Sequence, residues 1–141
     1  FGLPRIITNA QNIKRFLSLV DSKYNGITLC TGSFGASSKN DLKELIEVAK
    51  GRIHFAHFRN VKLSNEYDFK ETAHPTPCGD IDMYATMLAL IESGFDGYIR
   101  PDHGRRIWGE KGRYGYGLYD RALGACYLAG LIEAIEKGSK K

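Results

Sequence analysis

Three short apolar runs end in residues that can bind a metal or move a proton. Gly26 to Cys30 (GITLC) leads into Cys30-Thr31-Gly32-Ser33. Arg52 to Arg59 (RIHFAHFR) carries His54 and ends near His57-Phe58-Arg59-Asn60. Gly97 to Asp102 (GYIRPD) runs into Asp102-His103-Gly104-Arg105. A thiolate, an imidazole and a carboxylate make a mixed soft and hard donor set. Such a set suits Zn, Fe(II) or Mn better than Ca or Mg. An open position on the ion would bind a substrate oxygen or a water and make it more acidic. Each residue taken singly has a plainer reading. Cys30 suits a small buried side chain, Asp102 after Pro101 a turn cap, and His103 the surface of that turn. His54 and His57 differ by three positions and point to opposite faces of one strand, and parity alone does not choose between them.

Other residues extend the candidate set. Arg59-Asn60 sits at the mouth of the second run, where an arginine can grip a carboxylate bidentately or form a surface ion pair. His74 lies beside two prolines in a loop shared with Cys78, and Cys126 reads as core in an apolar helix. The segment Gly104 to Tyr119 (GRRIWGEKGRYGYGLY) gathers glycines, arginines, a tryptophan and three tyrosines. It is either a flexible surface loop or the wall of a site, with arginines for an anion and tyrosine hydroxyls for proton transfer. Its glycines form neither a dinucleotide fingerprint nor a P-loop.

The elements that would position these residues alternate. Thr8 and Gln11 read as a capping box before a helix with Ile13, Phe16, Leu17 and Val20 on one face. Asn40 is placed to cap a second helix that Gly51 ends, and Asp80 a third, with Ile81, Tyr84, Leu88 and Ile91 inward, that Gly94 ends. Leu118 to Ile135 is a last, strongly apolar helix. Residues 61 to 79 read as a long loop with room for a small hairpin. Helices thus interleave with three strands, which implies βαβ units and a parallel sheet. Function in such proteins gathers at the carboxyl ends of the strands.

Composition bounds the rest. The chain has 141 residues, 43% hydrophobic and 26% charged, enough for one domain's core. No apolar run is long enough to cross a bilayer, which predicts no membrane partner. The net charge is +4, but Lys137, Lys140 and Lys141 crowd the tail, and elsewhere the signs mix. That argues against nucleic acid. An odd count of three cysteines without CxxC spacing argues against a disulfide scaffold and fits a reducing, cytoplasmic compartment.

Taken together, FGLPRI, LCTGS, HFRN, GDIDMY, RPDHGR, IWGEKGR and GYGLYDRALGA resemble mannonate dehydratase of the UxuA-type family, from Phe1 to about Glu133. The resemblance implies a (β/α)8 TIM barrel that dehydrates D-mannonate to 2-keto-3-deoxy-D-gluconate in hexuronate breakdown, with Mn(II) or Fe(II) as cofactor. It implies Cys30, His57 and Asp102 as metal ligands, so His57 rather than His54. It implies His103 and a tyrosine of the GYG segment, best matched by Tyr116, in proton transfer. Arg59, Asn60, Arg105 and His74 are the expected substrate-binding residues. The family's further histidine ligand lies just upstream of the FGLPRI run, and this chain opens at Phe1. The expectation is therefore a C-terminal portion of one barrel domain, residues 1–141, with about three βα units. Three strands cannot close an eight-strand barrel. Alone, the fragment is expected to be inactive, or to associate with another copy or with missing segments. A divalent-metal sugar isomerase of similar barrel type, or a non-catalytic associating fragment, are the alternatives.

Overall fold

The computed structural model describes residues 4–66 and 68–139. Phe1 to Leu3 of the FGLPRI run and the tail residues Lys140 and Lys141 lie outside the described residues. The elements run α1 (Ala10–Leu19), β1 (Ile27–Cys30), α2 (Thr31–Phe34), α3 (Leu42–Val48), β2 (Ile53–Phe58), β3 (Val61–Asn65), β4 (Asp68–Glu71), a 3-10 turn (Thr76–Cys78), α4 (Met83–Glu92), β5 (Tyr98–Pro101) and α5 (Leu118–Gly138). The order is an α/β alternation with a three-stranded parallel sheet, β1-β2-β5. The stretch read as a long loop folds into an antiparallel β3–β4 hairpin.

The helix starts differ from expectation, for one reason. Each cap falls on the Asn or Asp nearest the first helical turn, whose side chain reaches a free backbone N–H. Asn9, not Thr8, accepts from Asn12 N at 2.9 Å. Asp41, not Asn40, accepts from Lys43 N at 2.8 Å. Asn40 instead ties segments together by donating to the Thr8 and Phe34 carbonyls. Asp82, not Asp80, accepts from Ala85 N at 2.9 Å. Asp80 serves the hairpin, accepting from Leu63 N and Lys62 Nζ. Gly51 and Gly94 follow α3 and α4 with φ of +72° and +81°, a left-handed turn that glycine takes without a Cβ clash.

Parity divides the sheet into two unlike faces. Leu29, Ala56 and Phe58 point to one side and are buried with Ile13, Leu45, Ile46, Met83, Met87, Leu90 and Leu128 from the helices. Burying a side chain of that size contributes about 1.5–3 kcal/mol. In α4 the buried stripe is Met83, Thr86, Met87 and Leu90, so Tyr84 turns outward. Of the other residues expected inward, Ile81 is buried and Leu88 and Ile91 pack partly buried against the core. In α5 the buried stripe is Asp120, Gly124, Leu128 and Ile135, and Cys126, expected in the core, is exposed. A helix apolar all round does not declare which stripe it buries. The other sheet face carries Thr28, Phe55, His57, Tyr98 and Arg100, and Tyr98 is 85% exposed. Among the described residues no helix is long and apolar enough to cross a membrane.

Candidate metal centre

Strand register brings the site together. Cys30 at the end of β1 pairs with His57 on β2, and His57 pairs with Arg100 on β5. Neighbouring strands lie about 4.8 Å apart, so these side chains stand in one row on one face. Asp102 lies two residues beyond Arg100, which returns it to that face, and its N–H continues the ladder to the Phe58 carbonyl at 3.2 Å. One donor atom each from Cys30, His57 and Asp102 lies within 4.8 Å of the others. Two ligands of one ion stand at most about 4.4 Å apart, the sum of two metal–ligand bonds. The three donor atoms are thus near enough for side-chain rotation to bring them onto one ion. Cys30 Sγ donates to Asp102 Oδ2 at 3.4 Å, and His57 Nδ1 lies 3.2 Å from Asp102 Oδ1. His54 is exposed at the far end of β2, with its ring against Gly26.

A ring of charge surrounds the three. Arg100 Nη2 lies 3.2 Å from Asp102 Oδ1, and Arg59 Nε 3.5 Å from Asp102 Oδ2. His103 Nε2 is 3.8 Å from the same oxygen. Burial alone would raise the Asp102 carboxyl. The neighbouring His103, Arg59 and His57 side chains, with the Arg100 hydrogen bond, outweigh it and hold the group below the usual carboxylate range. Burial lowers His57, aided by Arg100 and Arg59 and opposed by Asp102, so its ring stays neutral, the form that ligates. The Arg59 guanidinium lies against Gly32, where an added Cβ would come within 2.2 Å of Nε. The glycine of the CTGS run thus makes room for the arginine.

In front of the row is a cavity of about 620 Å³, lined by Cys30, Ser33, His57, Arg59, Asp102 and His103 among others. A second, of about 570 Å³, is also lined by His103, together with Glu71, Arg105, Arg106 and Tyr114. Both are large enough for a sugar acid.

The remaining candidates divide. His103 and Arg59 reach the site. Arg105 is held by Asp120, which accepts from Arg105 N, Nε and Nη2 at 2.8–2.9 Å. Tyr116 is half exposed, with Arg113 and Arg121 over its ring, and it is Tyr114 that lines the second cavity. Asn60 is fully buried, donating its amide to the His74 and Pro75 carbonyls and accepting from Val61 N and Ile81 N. His74 is 3% exposed, its Nε2 3.1 Å from the Phe58 carbonyl. Asn60 and His74 thus brace the ends of β2 rather than line the two cavities.

Burial lowers the His74 pKa despite the neighbouring Asp120 and the Phe58 carbonyl. With His57 lowered as well, the unfolded chain binds protons below about pH 6.5 that the folded chain refuses. Stability is therefore expected to be complete above that pH and to fall as pH drops from about 6.5 toward the lowered folded values. Urea unfolding midpoints of the metal-free protein between about pH 8 and pH 5 measure this. His74→Gln is expected to flatten the slope, and an unchanged slope would contradict the assignment.

Two residues of the site were not legible as such. Glu71, at the end of β4, meets both Arg59 and His103. It lay in a stretch without periodicity and carried no signal. Asp120 did carry one: it is an acid on the same stripe as Gly124 and Leu128, four and eight residues on.

The family model described as D-mannonate dehydratase (UxuA) matches residues 1–141. Mannonate dehydratase from Thermotoga petrophila is 60% identical over 143 residues, covering 100% of this chain and 40% of that protein. The Streptococcus agalactiae serotype III enzyme of the same name is 58% identical, covering 99% and 41%. The crystal structure of mannonate dehydratase from Streptococcus suis serotype 2 superposes with a TM-score of 0.93 at 51% identity, covering 100% of this chain and 41% of that one. A xylose isomerase domain protein from Planctomyces limnophilus shares the fold, with a TM-score of 0.67 at 18% identity over 91% of this chain and 45% of that one. The chain thus spans about 40% of the length of the curated relatives it matches. Over that span it belongs to the D-mannonate dehydratase (UxuA) family.

Proposed function

We propose that this chain supplies the metal-binding part of a mannonate dehydratase that converts D-mannonate to 2-keto-3-deoxy-D-gluconate, a step of hexuronate breakdown in the cytoplasm. The observation that carries the reading is the convergence of Cys30, His57 and Asp102 at three adjacent strand ends, with His103 beside them. In this reading the three parallel strands are part of a (β/α)8 barrel. The Thr28, Phe55 and Tyr98 face looks into its interior, and companion strands or another copy cover it.

The donor set fits Mn(II) or Fe(II), since it combines a thiolate, a neutral imidazole and an ionised carboxylate. When bound, such an ion supplies positive charge to the enediolate that develops on the substrate. The chain's own groups move the protons. One takes the proton from C2, next to the substrate carboxylate. Another protonates the hydroxyl leaving C3, so that water departs and the enol becomes the 2-keto group. His103 and a tyrosine of the GYG segment, Tyr116 by family likeness, are the groups proposed for these two transfers. Arg59 orders the site through Asp102 and Glu71. Asn60 and His74 act on the substrate indirectly, by bracing the end of β2, and Arg105, on the wall of the second cavity, is tied to α5 through Asp120.

The test is product analysis. The full-length protein given D-mannonate and Mn(II) is expected to release a ketodeoxy acid with loss of one water. An isomer of unchanged mass would instead favour a sugar isomerase. The 141-residue chain assayed beside it is expected to be inactive, because an open sheet leaves the cavity unenclosed.

A further inference from the structure

Glu71 has a fixed position and an unusual pair of neighbours. It pairs across the hairpin with the buried Val61. The next residue, Thr72, donates its N–H to the Asn60 carbonyl at 3.1 Å. The Asn60 side chain, through its four hydrogen bonds to backbone, ties the base of the hairpin to the His74 loop and to the approach of α4. A carboxylate on this frame is held rather than free to swing.

Its Oε1 accepts from Arg59 Nη1 at 2.6 Å and also meets His103 Nδ1. Arg59 Nη1 in turn lies 2.8 Å from His103 Nδ1. Three groups therefore share one point, and they cannot all be satisfied in every tautomer. An arginine nitrogen only donates, whereas a neutral imidazole has one donating and one accepting nitrogen. If His103 Nδ1 accepts from Arg59, its proton sits on Nε2. If Nδ1 donates to Glu71, Nε2 keeps its lone pair. A charge-assisted bond to a carboxylate is roughly twice as strong as a neutral one, and Arg59 can satisfy itself on the same oxygen. The charge on Glu71 is thus what decides between the two states.

We infer that Glu71 is a positioning residue that holds His103 as the Nδ1–H tautomer, leaving the Nε2 lone pair turned toward the Cys30, His57 and Asp102 cluster. The inference rests on the reading of His103 as a proton-transfer group and adds the residue that prepares it. Glu71 touches no reacting atom and acts only through the imidazole. Without its charge, Arg59 becomes the stronger partner of Nδ1, and the ring presents an N–H where a lone pair is needed.

The experiment compares full-length wild type, Glu71→Gln and Glu71→Asp. Glu71→Gln is expected to lower kcat for D-mannonate by about 10²–10⁴-fold, the range in which proton transfer and orienting carboxylates act. KM is expected to stay within about threefold and metal content at the wild-type level. Glu71→Asp, which restores the charge, is expected to recover at least about tenfold of the loss. Nitrogen-15 spectra of the zinc-substituted full-length protein read the tautomer directly, with His103 assigned by its loss in His103→Gln. Wild type is expected to carry the proton on Nδ1 and Glu71→Gln on Nε2. Wild-type kcat in Glu71→Gln, or the same tautomer in both, would overturn the inference. If wild type itself does not dehydrate D-mannonate, the functional reading falls, while the spectra still decide the role of Glu71.

Discussion

Asp102→Asn in the full-length protein is expected to lose its metal and its turnover together. The substitution keeps the shape of the side chain and removes its charge. Changes to residues that merely support a ligand cost about 10–100-fold in metal affinity, so loss of the ligand itself should exceed about 100-fold. With several kcal/mol of charge stabilisation gone, kcat should fall by at least about 10³-fold. Cys30→Ser is expected to do the same, because an alcohol is not ionised at neutral pH and is a poor substitute for a thiolate. Elemental analysis after dialysis and D-mannonate turnover measure the two effects side by side. Full activity with an empty site in either variant would contradict the proposal.

Arg105→Met should act on stability, and its size follows from burial. Asp120 is 3% exposed and accepts three hydrogen bonds from Arg105, two of them from the guanidinium. Burial would raise the Asp120 carboxyl, and these bonds with the arginine charge hold it below the usual range. Removing the guanidinium leaves a buried carboxylate with one backbone partner, at a cost of about 3 kcal/mol. Arg105→Lys recovers only part of it, since an ammonium cannot span both oxygens as the fork does. Asp120→Asn should cost less, because the Arg105 side chain is 39% exposed and water can take over its donors. That inequality is the signature of a scaffold pair. Were Arg105 chiefly a substrate ligand, Arg105→Met would raise KM and leave the urea midpoint where it was.

How far the sequence could be read depended on whether a residue's role is local. The strand ends at Cys30, His57 and Asp102 were visible because apolar runs of strand length stop there, and the structure joins them by register. Side-chain parity on β2 was visible too, but not which parity faces the cavity, because that depends on where the helices pack. Helix caps were displaced by one or two residues, since Thr8, Asn40 and Asp80 are as good capping types as Asn9, Asp41 and Asp82. Only the backbone geometry separates them. Cys126 was misplaced because α5 is apolar on every side. Glu71 was not legible at all. Its importance arises from Arg59, twelve residues earlier, and His103, thirty-two residues later, and no short-range pattern encodes that meeting.

The central claim is that one divalent ion sits among Cys30, His57 and Asp102. Anomalous diffraction from crystals of the full-length protein grown with Mn(II), recorded on both sides of the manganese edge, tests it most directly. A single strong peak within bonding distance of the Cys30 sulfur, a His57 ring nitrogen and an Asp102 oxygen is the predicted result. A peak elsewhere, or none at this point in protein that turns over D-mannonate, would contradict the account.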